Sequence, residues 1–110
     1  MQSAQRIGYH ESTIVSVRQV DGSIDFVLED VQVDDSLHTV SIRAAGIKRV
    51  LFDGNAIEDF TGRCEGGEIL TLNLTDRDLC LIVELTDFKT QLAETHSCQI
   101  TCESILIDVD

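Results

Sequence analysis

Glu68-Ile69-Leu70-Thr71-Leu72-Asn73-Leu74-Thr75-Asp76-Arg77-Asp78-Leu79-Cys80-Leu81-Ile82-Val83-Glu84-Leu85 is the stretch that decides the fold. Leu70, Leu72 and Leu74 alternate with Thr71, Asn73 and Thr75. After Thr75-Asp76-Arg77-Asp78 the pattern resumes with Leu79, Leu81, Val83 and Leu85. A period of two places every second side chain on one face of an extended strand. Two such runs joined by a short polar connection predict an antiparallel hairpin whose leucines face one core.

The same punctuation recurs on both sides of this hairpin. Upstream, Ile14–Val20 is rich in β-branched residues and meets Asp21-Gly22, a hairpin turn signal. Ile24, Phe26 and Leu28 then alternate with Asp25, Val27 and Glu29, and the apolar phase shifts to Val31 and Val33, which predicts a bulge at Asp30. Asp34-Asp35-Ser36 makes the next turn, followed by Val40, Ile42 and Ala44. Gly46 breaks that strand. Ile47–Phe52 forms another, ending at Asp53-Gly54-Asn55, and Glu65-Gly66-Gly67-Glu68 is a further turn. Ala56–Phe60 carries only a short strand signal.

Downstream, Thr86–Thr95 is the one piece with helical character, read as a single turn around Phe88–Leu92 or as a loop. The last segment returns to strand, with Cys98, Ile100 and Cys102 in one phase and Ile105, Ile107 and Val109 in another. The switch at Glu103-Ser104 requires a bulge or tight turn. About seven to nine strands at intervals of about 8 to 12 residues predict an all-β chain, an antiparallel β-sandwich or a partly open barrel. With 110 residues, no proline, no repeat and no linker, it reads as one domain spanning 1–110.

Charge narrows the function. Acidic residues number 20 against 8 basic, a net charge of −12. That balance argues against direct nucleic-acid or anionic-membrane binding, which runs on clustered Lys and Arg. Residues 1–55 hold 8 acidic and 5 basic side chains, whereas residues 56–110 hold 12 and 3, so the second half carries most of the field. Its turns and outward positions, Glu65, Glu68, Asp76, Asp78, Glu84 and Asp87, are the candidate contacts for a basic partner. Solubility alone is the plainer explanation for the same charges.

Residues with chemical potential are few. His10-Glu11-Ser12 contains the residue types of a hydrolase triad, but neighbours on an extended segment do not converge, and Ser12 lies in no Gly-x-Ser-x-Gly elbow. It is a polar lead-in whose side chains satisfy backbone groups in a turn, with binding as its other use. His96 and Cys98 share a strand face and could serve one metal ion if Cys80, Cys102 or His10 joined them, yet no Cys-x-x-Cys accompanies them. A core cysteine beside a half-exposed histidine is the simpler reading, and no cofactor is expected.

Paired carboxylates occur at Glu29-Asp30, Asp34-Asp35, Glu58-Asp59 and Asp76/Asp78, and those in turns read as solvated. Without tryptophan, and with Tyr9, Phe26, Phe52, Phe60 and Phe88 as the only aromatics, they do not suggest a glycosidase. No EF-hand spacing and no phosphate loop occurs. Cys98 and Cys102 lie four positions apart on one predicted strand, roughly 13 Å, too far for a disulfide. The cysteines are therefore expected to be reduced and to act as small core residues. Met1–Tyr9 lacks the apolar core of a signal peptide, and the longest apolar run, Leu79–Val83, is far too short to span a bilayer. A cytoplasmic location follows as the expectation.

Taken together, Tyr9-His10-Glu11-Ser12-Thr13-Ile14, Val50-Leu51-Phe52-Asp53-Gly54 and Gly67-Glu68-Ile69-Leu70-Thr71-Leu72 resemble segments of short bacterial all-β proteins of unknown function. Those proteins open with a Tyr/Phe-His-Asp/Glu-Ser segment and end in acidic strands. Some are regarded as immunity proteins, which neutralise toxins passed between neighbouring cells. The resemblance implies a protein partner, no catalysis and no active-site residues. The expectation is a non-enzymatic acidic protein-binding module, with an immunity or antitoxin protein as its sharpest form. The alternative is a small-ligand or metal-binding β-barrel.

Overall fold

The computed structural model describes residues 7–87 and 89–110. Met1 to Arg6, part of the segment expected to lack a signal-peptide core, and Phe88 lie outside the described residues. Ten antiparallel strands make one open sheet: β1 Ile7–Gly8, β2 Thr13–Val20, β3 Ser23–Val33, β4 Ser36–Ala45, β5 Arg49–Phe52, β6 Asn55–Ala56, β7 Glu68–Leu74, β8 Asp78–Asp87, β9 Leu92–Thr101 and β10 Ser104–Val109. Their order is β10-β4-β3-β2-β7-β8-β9-β5-β6, with β1 pairing β3 beside β2.

The sheet folds over where β2 meets β7, at the single pair Thr13↔Glu68. Its halves then face each other across one core. Ile14, Phe26, Leu28 and Ile42 from the first half line the same small interior cavity as Ile69, Leu72, Leu79 and Leu81 from the second. The all-β expectation holds, and β1 and β6, two residues each, account for the extra strands.

The leucine hairpin forms as its alternation requires, with Leu72 opposite Leu81 and Leu74 opposite Leu79. One residue departs from it. Leu70 occupies a bulge between Ile69 and Thr71, so fully buried Ile69 takes the inward place instead. Asp30 sits in the expected bulge with φ 58°, between the pairs at Leu28 and Val31. Asp21-Gly22 and Asp53-Gly54 are two-residue turns with both residues at positive φ, the backbone that matches strand twist.

Of the two readings of Phe88–Leu92, a helical turn or a loop, the described residues 89–92 form no helix, and Phe88 lies outside the described residues. Thr86 and Asp87 pair with Ala93 and Leu92, extending the β8–β9 hairpin. The Asp87 carboxylate accepts the Lys89 N–H (2.9 Å), its carbonyl accepts the Gln91 N–H (2.7 Å), and Gln91 turns the chain at φ 58°. Local side-chain bonds of this kind favour a turn over a helix.

Residues 57–67 have no periodicity because they cover an edge. Beyond Thr13, β2 has no strand on its outer side; instead the Val17 carbonyl accepts from Gly62 N–H (2.9 Å) and the Val17 N–H donates to Glu65 Oε2 (2.8 Å). Gln19 N–H donates to Thr61 Oγ1 (2.9 Å), and Gln19 Oε1 accepts from Phe60 N–H (2.7 Å). The segment is anchored by Phe60, which is 0% exposed. Gly67 completes the close approach: a Cβ there would collide with the Val83 side chain and come within 2.9 Å of Leu85.

Candidate functional site

His10, Glu11 and Ser12 form the turn that enters β2. Ser12 is fully buried and its hydroxyl donates to the Tyr9 carbonyl (2.5 Å), while its backbone N–H reaches the same oxygen (3.1 Å). Glu11, at φ 70°, donates its N–H to the Ile69 carbonyl (2.8 Å). His10 Nδ1 lies 2.9 Å from the Leu70 carbonyl, so that nitrogen carries the proton, and Nε2 faces Glu11 at 3.7 Å. His10 and Ser12 share no hydrogen bond. The three residues fasten the β1–β2 turn to the bulge in β7.

The cysteines separate by face. Cys98 points inward and Cys80 outward on neighbouring strands, where Cys80 is exposed, contrary to the expectation that it packs in the core. Leu79, Leu81 and Val83 take the inward places of β8, leaving Cys80 the outer face. Cys102 is buried at the β9–β10 crossing, its thiol donating to the Arg77 carbonyl (3.4 Å). All four thiols are free. Among the described residues no group of three or more His, Cys, Asp or Glu side chains could hold a metal ion.

His96 meets a residue that spacing could not reveal. Its Nδ1 lies 2.6 Å from Asp53 Oδ2 in the β5–β6 turn, and its Nε2 lies 3.2 Å from Glu94 Oε2. Asp53 Oδ1 also accepts the Ser97 N–H (2.8 Å), and the Asp53 N–H donates to the Ser97 carbonyl (2.8 Å). Carboxylates only accept, so both ring nitrogens donate and the ring is an imidazolium. The Asp53 hydrogen bond is the largest influence holding the His96 pKa above its ordinary value. Reciprocally, the His96 and Ser97 hydrogen bonds hold Asp53 below the usual carboxylate range.

The imidazolium stacks on Phe52, with centroids 5.2 Å apart and planes 19° apart, and the Arg63 guanidinium carbon stands 5.1 Å from the same ring. Phe52 meets Phe60 edge-on at 6.1 Å, and Phe60 meets Phe26 at 5.9 Å, so the polar cluster is seated on an aromatic path into the core. Burial raises the two thiols below it, Cys64 to about 11 and Cys98 to about 12. Both imidazole nitrogens are engaged by carboxylates, and burial disfavours the thiolates of Cys64 and Cys98. The cluster is a latch that holds the β5–β6 turn on β9.

The six candidate acidic contacts sort by what they already hold. Glu65 caps Val17, Asp87 caps the β8–β9 turn, and Asp78 accepts from Thr101 (3.3 Å) and Thr75 (3.5 Å). Asp76 is exposed in the β7–β8 turn, and Asp78, where β8 begins, lies six strand positions from Glu84, so the acids do not form one patch. Glu68 and Glu84 are brought together as directly opposed cross-strand partners. Their row continues across the fold-over as Glu29, Thr13, Glu68, Glu84 and Thr95. Glu29 was visible in the sequence only as an outward strand position and half of a carboxylate pair, because its place in this row depends on the β2–β7 junction.

The interior cavity measures about 10 Å³, is lined wholly by apolar side chains and has no room for a ligand. The larger spaces are open surface grooves, one of about 440 Å³ on the outer face of β2, β3, β4 and β10. Among the described residues no helix is long and apolar enough to cross a membrane. No protein-family model matches the chain, and no curated protein or solved structure is detectably similar to it.

Proposed function

We propose that the chain is a non-enzymatic protein-binding module that takes a basic partner on the glutamate ridge across β3, β2, β7 and β8. The observation that carries this reading is the opposition of Glu68 and Glu84. Like charges directly opposite one another on a sheet weaken it, and among the described residues neither carboxylate makes an ion pair or a hydrogen bond, although Thr13 and Thr95 flank the pair in the same row. A feature that costs the fold stability without internal compensation is best accounted for by a use outside the fold. A basic partner supplies the missing counter-charge and is steered to it by the net charge of −12.

The immunity-type reading is the sharpest form: a cytoplasmic scaffold whose acidic ridge covers the basic surface of a toxin. Binding is tested by capture at low salt on the native protein and, in parallel, on Glu68→Gln/Glu84→Gln. The expected result is one stoichiometric basic protein, released by salt, recovered on the native chain and lost from the variant. A toxic captured protein would specify the immunity form. Identical recovery on both baits would sink the proposal.

A further inference from the structure

The ends and open sides of this sheet are treated unequally. One end is β6, only two residues long, and the open side of β2 is covered by residues 57–67. The other end is β10, six residues without bulge or proline, carrying Leu106 at 59% and Ile107 at 44% exposure. A regular, unpaired edge that carries exposed apolar side chains invites another strand.

Hydrogen-bond parity shows which groups are open. Asp110 N–H donates to the Thr39 carbonyl (3.0 Å), so Asp108, Leu106 and Ser104 turn their backbone groups toward β4 in the continuing register. The β2–β3 turn gives the same answer from the opposite direction. Val20 and Ser23 close it as a bonded pair, and alternation across β3 and β4 leaves Ala45, Arg43 and Ser41 bonding to β10. The N–H and C=O groups of Ile105, Ile107 and Val109 therefore point away from β4, and no strand among the described residues receives them.

We propose that β10 pairs with β10 of a second copy of this chain, antiparallel, with Ile107 opposite Ile107 and Ile105 opposite Val109. This register engages all three outward-bonding residues of each copy. It also sets Leu106 of one copy opposite Asp108 of the other, so no two aspartates are directly opposed. Charge favours it further. In the outer row Arg18, Asp25, Arg43 and Leu106, Arg43 is held bidentately by Asp25 (2.7 and 3.2 Å), leaving one net positive charge that the incoming Asp108 balances from beyond Leu106. On the inner side Ile107 meets Ile107, prolonging the apolar face. This pairing is independent of the proposed glutamate ridge, which lies on other strands.

Sedimentation equilibrium of the whole chain up to millimolar concentration tests the pairing. The expected result is a reversible monomer–dimer equilibrium. Ile107→Pro should abolish it while retaining the native far-UV spectrum, because the lost N–H is one that β4 does not use. Asp108→Lys, which cannot disturb a backbone bond, should weaken dimerisation about tenfold, because it replaces the balancing negative charge of the outer row with a second positive one in both copies. In a Cys80→Ser background, Leu106→Cys/Asp108→Cys should oxidise to a covalent dimer. A native chain that stays monomeric throughout, a dimer unaffected by Ile107→Pro, or cross-linking by Leu106→Cys alone would overturn the proposal.

Discussion

His96 and Asp53, forty-three positions apart in the chain, stand 2.6 Å apart at the point where the β5–β6 turn rests on β9. The proton on His96 Nδ1 and the charge on Asp53 each hold the other in its ionised form. Glu94 holds the second ring nitrogen and Phe52 lies under the ring, so the imidazolium is fixed on two edges and one face.

Stability should consequently depend on pH through this pair. The His96 pKa is raised on folding, so its contribution is complete below the unfolded value of about 6.5 and is lost as pH rises through the folded value. The Asp53 pKa is lowered, so its contribution is complete above about 3.9 and is lost as pH falls through the folded value. Urea midpoints from pH 6 to pH 9 should fall more steeply for the native chain than for His96→Gln. Parallel curves would remove the latch from the account of stability.

Opposed glutamates make an unusual demand of the fold. Glu84→Gln removes one of two like charges facing each other across β7 and β8, and should raise unfolding stability by roughly 0.2–1 kcal/mol. Added salt should stabilise the native chain more than the variant, since screening relieves the same repulsion. A variant less stable than the native chain at low salt would mean that Glu84 has a stabilising role within the fold.

The leucine hairpin, the Asp21-Gly22 turn and the Asp30 bulge were legible because they are local: alternation, a turn pair and a change of phase each occupy a few consecutive residues. The exchange of Leu70 for Ile69 was not, since a bulge shows itself only against the partner strand. Nor was the work of residues 57–67, whose hydrogen bonds run to Val17 and Gln19, about forty positions earlier. For the site, His96 was visible as a residue of interest, but its partner was not. Asp53 announced itself only as a turn former, and the fold supplies its second role. The acids were visible as a composition, while the order of strands decides which of them stand side by side.

Phe60 gives the edge-covering segment its hold. Fully buried and in contact with Phe26 and Phe52, it should cost about 3–5 kcal/mol when replaced by alanine. The loss should be visible locally as well as globally. Val17 and Gln19 donate their N–H groups to Glu65 and Thr61 of this segment. Hydrogen exchange in Phe60→Ala should therefore quicken at Val17 and Gln19 before it quickens at Leu81 or Ile100 in the second half. Uniform acceleration would mean that the segment unfolds only with the rest of the sheet.

Thiol reactivity reads the orientation of β8 directly. Cys80 is exposed on the outer face, whereas Cys64, Cys98 and Cys102 are buried, and burial raises the pKa of all three. The reactive species is the thiolate, so a raised pKa and poor access slow those three together. Ellman's reagent at pH 8 should modify one of the four thiols rapidly in the native chain and the remainder only in denaturant, with Cys80→Ser losing the rapid phase. Rapid modification of Cys98 would require β9 to turn its inward face to solvent, carrying Ile100 with it and breaking the packing against Leu79 and Leu81. A rapid phase that survives in Cys80→Ser would therefore count against the register of β8 on β9 as well as against the exposure of a single side chain.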